Sequence, residues 1–191
     1  MATRRHGEAL ERALLDAAWD ELAEGGYAAF TMDAVAVRAG TSRPVLYRRW
    51  PDKHDLVRCA VAHALDRDVI AVPDTGSLRG DIITLMKSAN ETRVDLVAAV
   101  TVHLGGYYRE TGSSPDDLRK LLVSGRPRVL DTVLGRAEAR GEIRRDRVSK
   151  RVASLPFALL MLELVMTLKP VPASVIEDIV DTIFLPLVTA Q

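Results

Sequence analysis

Cysteine and aromatic side chains are scarce in this chain of 191 residues. The single cysteine, Cys59, excludes a disulfide within the chain and fits an intracellular reducing compartment. Phe, Trp and Tyr make up 5% of the residues, and segments with the branched and aromatic alternation of β-strands are scarce as well. Ala, Leu, Arg and Glu dominate, so the composition favours an all-α protein.

Long hydrophobic runs are missing too. The most apolar run, residues 155–168, has fourteen residues and is interrupted by Glu163, whereas a membrane span needs about 20 apolar residues. The N-terminal sequence MATRRHGEAL also lacks the apolar core of a signal peptide. We therefore expect a cytoplasmic protein with no membrane partner, in which this run forms a buried or interface helix.

Motifs of catalysis and cofactor binding are absent from the sequence, which has no glycine-rich phosphate loop, no HExxH and no GxSxG. Cys59 and His63 are four residues apart and share a helix face, but two ligands do not make a metal site. The chain is therefore not expected to be an enzyme or to hold a metal or cofactor.

The net charge is zero, yet positive charge is concentrated in one segment. Between residues 38 and 58 the acidic residues are Asp52 and Asp55, which leaves an excess of four positive charges. A local basic face binds phosphates even when the whole chain is neutral. The six basic residues of this segment are Arg38, Arg43, Arg48, Arg49, Lys53 and Arg58.

The same region, residues 31–53, has the pattern of a helix-turn-helix. Thr31 and Ser42 are natural caps for two short helices on either side of Gly40, and Pro44 fits the first turn of the second helix. Pro51 ends that helix. This arrangement predicts a unit whose second helix enters the major groove of DNA.

The predicted first helix, residues 7–24, has an apolar face and ends at the pair Gly25-Gly26. Tyr27 and Phe30 are expected to fill the space between it and the motif. Asp52 caps a fourth helix that runs to about Ile70. Residues 1–6 form an arm that either is solvated or touches DNA beside the motif.

Beyond a turn at residues 73–76, the pattern predicts five further helices. They cover residues 77–91, 94–108, 116–140, 149–168 and 173–188, about nine helices in all. The predicted fold is all-α. A helix-turn-helix DNA-binding domain (1–52) precedes a helical ligand-binding and dimerisation domain (53–191), and helix four links the two.

The N-terminal third resembles the TetR (TetR/AcrR) family of bacterial transcriptional regulators. The resemblance rests on GGY at 25–27, VAVRAGTS at 35–42 and above all LYRRWPDK at 46–53. Residues 137–143 also resemble a segment seen in many relatives. The resemblance implies a homodimer joined through its last two helices, with a small-molecule site enclosed by the core helices.

The resemblance also implies which residues contact DNA. Arg43, at the start of the recognition helix, has the geometry to pair with guanine O6 and N7, and Pro44 to pack on a thymine methyl. A solvated surface charge stays an alternative for Arg43, and a place in the core stays an alternative for Tyr47. One of Arg48 and Arg49 has the alternative of facing solvent only. The predicted DNA-contacting residues are Thr31, Thr41, Ser42, Arg43, Pro44, Tyr47, Arg48, Arg49 and Lys53.

Two further sets of residues are predicted for the larger C-terminal part. The ligand-binding candidates, for which an ordinary packed core is the alternative, are Met86, Asn90, His103, Tyr107 and Met161. The dimer-interface candidates are Phe157, Leu160, Leu164, Ile176, Ile179, Val180, Ile183 and Phe184.

Together these features predict a ligand-responsive DNA-binding regulator, most often a repressor, that binds a palindromic operator as a dimer and is released by a small-molecule effector. Half-sites are expected about one helical turn or a little more apart. One rival is an all-α enzyme, which would need a convergent set of acid, base or metal ligands. A second rival keeps the fold as a small-molecule-binding or interaction module without DNA binding.

Overall fold

The structure, a computed structural model, describes residues 7–66, 71–114, 117 and 126–189. Every regular element in these ranges is helical, which confirms the all-α prediction. The helices are α1 (Glu8–Ala29), α2 (Met32–Arg38), α3 (Arg43–Tyr47), α4 (Lys53–Asp66), α5 (Leu78–His103), α6 (Gly105–Thr111), α7 (Arg126–Ala139), α8 (Lys150–Thr167), α9 (Ala173–Asp178) and α10 (Leu185–Thr189). A 3₁₀ turn spans Arg145–Arg147, and a π-helical segment, Ile179–Phe184, joins α9 to α10.

Some predicted features fall outside the described residues: the N-terminal arm, helix four beyond residue 66, and most of the first half of predicted helix seven. Among the helices that the structure describes, none combines the length and apolar character that a membrane span requires.

The contacts between Cα atoms divide the chain into two compact units. The first unit contains residues 1–68 and 99–122, and the second contains residues 69–98 and 123–191. The predicted domains, 1–52 and 53–191, are each one continuous stretch of the chain. Each of the two compact units instead combines two separate stretches. Both α4 and α6 pack against α1 in the first unit.

The core of the first unit is built by helices whose buried residues recur at helical spacing. Leu14, Ala18 and Leu22 of α1 are fully buried, as are Leu56 and Val57 of α4. The prediction that the glycine pair ends helix one was close, but the chain kinks at position 26 and continues for one more turn to residue 29.

The core of the second unit contains the buried residues Leu78, Ile82, Leu85 and Met86 of α5. The N-terminus of α5 is held by buried polar contacts, since the Asp81 carboxylate accepts hydrogen bonds from Thr75 N at 2.7 Å and Thr75 Oγ1 at 2.8 Å. The Glu142 carboxylate accepts from Leu78 N at 2.7 Å, and Arg136 donates to the carbonyl of Pro73 at 2.9 Å. These contacts give residues 136–142 a structural role.

The predicted break between helices five and six at residues 92–93 is wrong, because α5 runs unbroken from Leu78 to His103. The break comes at Leu104, just before Gly105-Gly106. No glycine or proline interrupts residues 91–94, and the Thr92 hydroxyl donates within the helix to the carbonyl of Ser88 at 3.0 Å. Ser149 caps the long apolar helix α8, since its side chain accepts from Val152 N at 3.2 Å.

Candidate nucleic-acid interface

Helix α2 and the turn after it form as their local sequence predicts. Thr31 Oγ1 accepts a hydrogen bond from Ala34 N at 3.1 Å and so caps α2. Gly40 has φ 64°, and after it Thr41 N donates to the carbonyl of Ala36 at 2.9 Å. A Cβ at position 40 would meet nothing within 4 Å, so the turn needs glycine for its backbone conformation and not for space.

Helix α3 presents one face to the core and one to solvent. Leu46 is fully buried and Trp50 nearly so, and both belong to the core. Tyr47 is 51% exposed, and the alternative that it belongs to the core is therefore wrong. Since Leu46 anchors α3, the side chains of Arg43 and Tyr47 are held outward on a fixed helix.

The predicted DNA-contacting residues are all accessible from solvent. Thr41 and Lys53 are half-buried, and the exposed ones are Thr31, Ser42, Arg43, Pro44, Tyr47, Arg48 and Arg49. The sequence interpretation missed Val37, an apolar residue of α2 that is 81% exposed. The helical period puts Val37 on a different side of α2 from the buried residues Val35 and Ala36, and this would have predicted its exposure.

The N-terminus of α4 is capped as predicted. Asp52 Oδ1 accepts hydrogen bonds from His54 N at 2.8 Å and from Asp55 N at 3.0 Å. This cap fixes the first turn of α4, in which Lys53 and His54 lie.

Most of the basic side chains counted in the sequence are paired within the chain. Arg43 of α3 forms an ion pair with Asp33 of α2. Lys53 Nζ lies 3.4 Å from Glu110 Oε2 of α6.

Arg38 is held by two carboxylates of α1, with its Nε 2.6 Å from Glu21 Oε1 and its Nη1 2.9 Å from Glu24 Oε1. Four carboxylates outside the counted segment therefore oppose its excess of four positive charges. Of the six basic residues, Arg48 and Arg49 alone have no ion pair within the described part of the chain.

A polar cluster joins α1, α4 and α6 inside the first unit. The Tyr27 hydroxyl donates to Glu110 Oε2 at 2.7 Å, and His54 Nδ1 lies 2.7 Å from the same hydroxyl oxygen. Because a carboxylate only accepts, the Tyr27 proton goes to Glu110 and His54 Nδ1 is the donor to Tyr27. Burial, followed by the Glu110 bond, raises the pKa of Tyr27, and the Tyr27 bond, aided by Lys53, lowers the pKa of Glu110.

Two of the predicted ligand-binding residues lie in the first unit, near this cluster. Tyr107 is buried, and its ring packs edge-on against Tyr27 at a centroid distance of 5.6 Å. His103 is half-buried and lies against Gly26, where an added Cβ would come within 2.8 Å of its Nδ1.

Tyr108 follows Tyr107 in α6 and is half-buried. Its hydroxyl is buried and has no hydrogen-bond partner among the described residues. Burial, followed by the influence of Tyr107, raises the pKa of Tyr108 to about 12. A buried donor without a protein partner needs an explanation, and an ordered water and a bound ligand are two of them.

The other three ligand-binding candidates lie in the second unit. Met86 is fully buried in its core, and Met161 is partly buried against that core. Asn90 forms two hydrogen bonds with the backbone of Val171, donating at 3.0 Å and accepting at 2.8 Å. Its amide is thereby occupied in holding the segment before α9.

The predicted dimer-interface residues divide into two groups. Phe157 is half-buried and Ile183 is 37% exposed. The other six pack within their own unit, where their side chains have little surface left for a partner, and they are Leu160, Leu164, Ile176, Ile179, Val180 and Phe184. The pattern missed exposed apolar residues on and beside the same helices, namely Leu162, Val165, Met166, Leu168 and Leu187.

The weak metal candidate has an ordinary explanation. His63 Nε2 lies 2.9 Å from Asp16 Oδ1, and Cys59 is half-buried. Within the described ranges, no group of three or more His, Cys, Asp or Glu side chains has the geometry to hold a metal ion.

Comparisons with known proteins extend over both units. Residues 14–60 match the family profile described as "Bacterial regulatory proteins, tetR family", and residues 72–183 match "Tetracyclin repressor-like, C-terminal domain". The chain is 31% identical over 184 residues to the "DNA-binding transcriptional repressor TetR" of Mycobacteroides abscessus, with 95% of each chain covered. It is 30% identical over 171 residues to an HTH-type transcriptional regulator of Mycobacterium bovis, covering 88% of this chain and 82% of that one.

Among solved structures, the chain is similar in fold to the transcriptional regulator FadR from Bacillus subtilis, crystallised in complex with stearoyl-CoA. The TM-score is 0.66 at 15% identity, and the match covers 95% of this chain and 99% of that one.

Proposed function

Since this chain belongs to the TetR family of bacterial transcriptional regulators, we propose that it is a cytoplasmic, ligand-responsive repressor that binds a palindromic operator as a homodimer. The observation that carries the proposal is helix α3, which presents Arg43 and Tyr47 to solvent from a buried Leu46 anchor. A short helix fixed by its apolar side, with a basic and an aromatic side chain outward, suits a major groove.

In the proposed complex, the exposed side chains divide between bases and phosphates. Arg43 pairs with a guanine edge and Pro44 packs beside it on a thymine methyl. Tyr47, Thr31 and Lys53 contact the sugar-phosphate backbone, with Thr41 and Ser42 at the edge of the groove.

Arg48 and Arg49 have a distinct part in this proposal. They follow α3 directly and have no ion pair in the described part of the chain. They therefore reach a phosphate without first breaking an internal contact, and they supply the unopposed positive charge of the surface.

Operator binding by the variant Arg43→Ala/Tyr47→Ala tests the DNA assignment. A duplex operator recovered by selection with the wild-type chain serves as the probe. Loss of a base-reading arginine costs about 1 to 3 kcal/mol, so binding should weaken roughly 5- to 150-fold. Arg12→Ala, which removes an exposed arginine of α1, should leave binding nearly unchanged. Equal affinity of the double variant and wild type would contradict the DNA-site assignment and favour a module without DNA binding.

The proposed dimer surface is the exposed apolar face of α8 and of the last helices. Leu162, Val165 and Met166 recur at helical spacing on α8, and Ile183 and Leu187 do so across the π-helical segment and α10. Exposed apolar patches of this kind mark protein interfaces.

Sedimentation of Leu162→Glu/Met166→Glu at micromolar concentration tests this surface. A buried unpaired carboxylate opposes association, so the variant should be monomeric while wild type is dimeric. Val72→Glu, which charges an exposed apolar residue elsewhere, is the matched control. A dimeric double variant would place the interface on another surface.

The proposed effector site includes Tyr107 and Tyr108 of α6. The lone Tyr108 hydroxyl offers a hydrogen bond to a ligand acceptor, with the Tyr107 ring as an apolar neighbour. Ligands that change α6 then act on the DNA-binding residues, because α6 packs with α1 in the first unit. A coupling free energy of about 1 to 3 kcal/mol is sufficient to lower operator affinity several-fold or more.

A further inference from the structure

We propose that Glu110 of α6 sets the DNA affinity of this protein by competing with a backbone phosphate for the ammonium group of Lys53. The proposal rests on the role of Lys53 as a phosphate contact, given above. It adds a residue far along the chain from the helix-turn-helix to the determinants of operator affinity.

The position of the Lys53 ammonium carries the argument. Nζ lies 3.4 Å from Glu110 Oε2 and 4.2 Å from the centroid of the Tyr27 ring. The ring face and the carboxylate both attract a cation. Lys53 therefore points toward α6, although it begins α4 directly after the exposed residues Pro51 and Asp52.

Glu110 is held in this place independently of Lys53. The Tyr27 hydroxyl donates to Glu110 Oε2 at 2.7 Å, and His54 Nε2 lies 4.0 Å away. The α6 backbone itself lies against the Tyr27 ring, since a Cβ added at Gly106 would come within 2.9 Å of Tyr27 Cδ1. Glu110, one helical turn later, is therefore a fixed negative charge, in contrast to a freely rotating surface carboxylate.

The charges of Glu110, Lys53 and the DNA phosphate decide whether Glu110 strengthens or weakens DNA binding. A lysine that neutralises one DNA phosphate contributes about 0.9 to the slope of log affinity against log salt concentration. Lys53 does not deliver all of this contribution while Glu110 is present. Either the Lys53–Glu110 ion pair must break before Lys53 contacts the phosphate, or the Glu110 carboxylate stays nearby and repels the phosphate. Glu110 thus weakens DNA binding through Lys53. Because the carboxylate belongs to α6, a shift of this helix changes how freely Lys53 reaches DNA.

The variant Glu110→Gln in the full-length chain tests the proposal. Gln keeps a carbonyl oxygen for the Tyr27 hydroxyl and removes the charge. Since the Lys53–Glu110 ion pair is partly exposed and screened by solvent, operator affinity at low salt should rise only about two- to fivefold. The salt slope should steepen by up to about 0.9. Phosphate contacts ignore sequence, so a duplex of unrelated sequence should show the same gain.

Two controls separate this effect from a general change of charge. Glu8→Gln removes an exposed carboxylate of α1 that pairs with Arg12, and it should change affinity less. In a Lys53→Gln background, Glu110→Gln should lose most of its effect, because its partner is gone.

Glu110→Asp, which keeps the charge on a shorter side chain, should have an operator affinity between those of wild type and Glu110→Gln. It provides a second test if the first variant unfolds.

The outcomes distinguish the two proposals. If Lys53→Gln binds DNA as well as wild type, the phosphate role of Lys53 is wrong and the competition has no target. If Lys53→Gln weakens binding but Glu110→Gln fails to strengthen it, the competition is refuted while the DNA-binding role stands. An equal gain from Glu110→Gln with and without Lys53 would also refute it.

Discussion

Replacing Gly26 by alanine puts a methyl group into a backbone conformation that favours glycine and into space that another residue fills. Gly26 has φ 67° and ψ 174°, a region that is essentially restricted to glycine. A Cβ at this position would lie 2.8 Å from Nδ1 and 3.3 Å from Cγ of His103. Rotation of the imidazole ring about the Cβ–Cγ bond moves Nδ1 away but leaves Cγ in its tight 3.3 Å contact, while the Cβ of His103, at 3.4 Å, is in ordinary van der Waals contact.

The two effects give an approximate magnitude for Gly26→Ala. The backbone conformation costs about 1 to 3 kcal/mol in a residue other than glycine. Overpacking of a filled site costs a further 1 to 3 kcal/mol or so. A total of roughly 2 to 6 kcal/mol should lower the melting temperature of a chain of this size by about 4 to 24 °C.

Thermal unfolding of the full-length variant, followed by circular dichroism, measures this loss. Gly40→Ala is the matched control, because Gly40 also has positive φ but an added Cβ there would meet nothing within 4 Å. It should show the backbone cost alone, about 1 to 2 kcal/mol. In a His103→Ala background, Gly26→Ala should be less harmful. If Gly26→Ala is no more destabilising than Gly40→Ala, and independent of His103, the close packing of α1 against the end of α5 is wrong.

Three further substitutions have definite expected effects. Ser149→Ala removes the cap of α8 and should lower the free energy of unfolding by about 1 kcal/mol in urea denaturation, with Ser149→Thr close to wild type. Asn90→Ala leaves the buried N–H and C=O of Val171 unpaired and should cost about 2 to 4 kcal/mol by the same assay; a loss below about 1 kcal/mol would mean that water replaces the amide. Tyr108→Phe removes a buried hydroxyl without a partner and should stabilise the protein by about 1 kcal/mol. The pKa of Tyr108 is about 12 in the fold against 10.0 for an ordinary tyrosine, so the unfolded chain loses this proton at lower pH than the folded chain. Wild type should therefore lose stability relative to this variant as pH rises from about 10 to 12. A pH-independent difference would contradict the burial of the hydroxyl.

The DNA-reading surface was largely predictable because its determinants are local. Thr31, Gly40 and Asp52 act on backbone groups within a few residues, so their roles as caps and turn follow from their order in the sequence. The burial of Leu46 and the exposure of Arg43 likewise follow from the period of one helix.

The charge on that surface was not predictable in the same way. Counting residues 38–58 gave a positive excess, but Glu21 and Glu24 from α1 and Glu110 from α6 lie outside that window and oppose it. The proposed dimer surface shows the same limit. When a helix is apolar on most sides, its sequence does not show which side chains pack into the core of the same chain. In the structure Leu164 of α8 is buried, whereas Met166 is 74% exposed.

Propensity, capping and periodicity operate over a single turn or helix, so the helical class and the helix-turn-helix follow from the sequence alone. The family follows from the resemblance carried by motifs such as LYRRWPDK. The packing of the helices, in contrast, puts α6 in the same compact unit as α1 to α4 and brings Glu110 to Lys53 and Tyr27. It also leaves the Tyr108 hydroxyl without a partner among the described residues. These contacts join residues separated by more than fifty positions in the chain. Their partners are selected by how the helices pack, which no local pattern specifies.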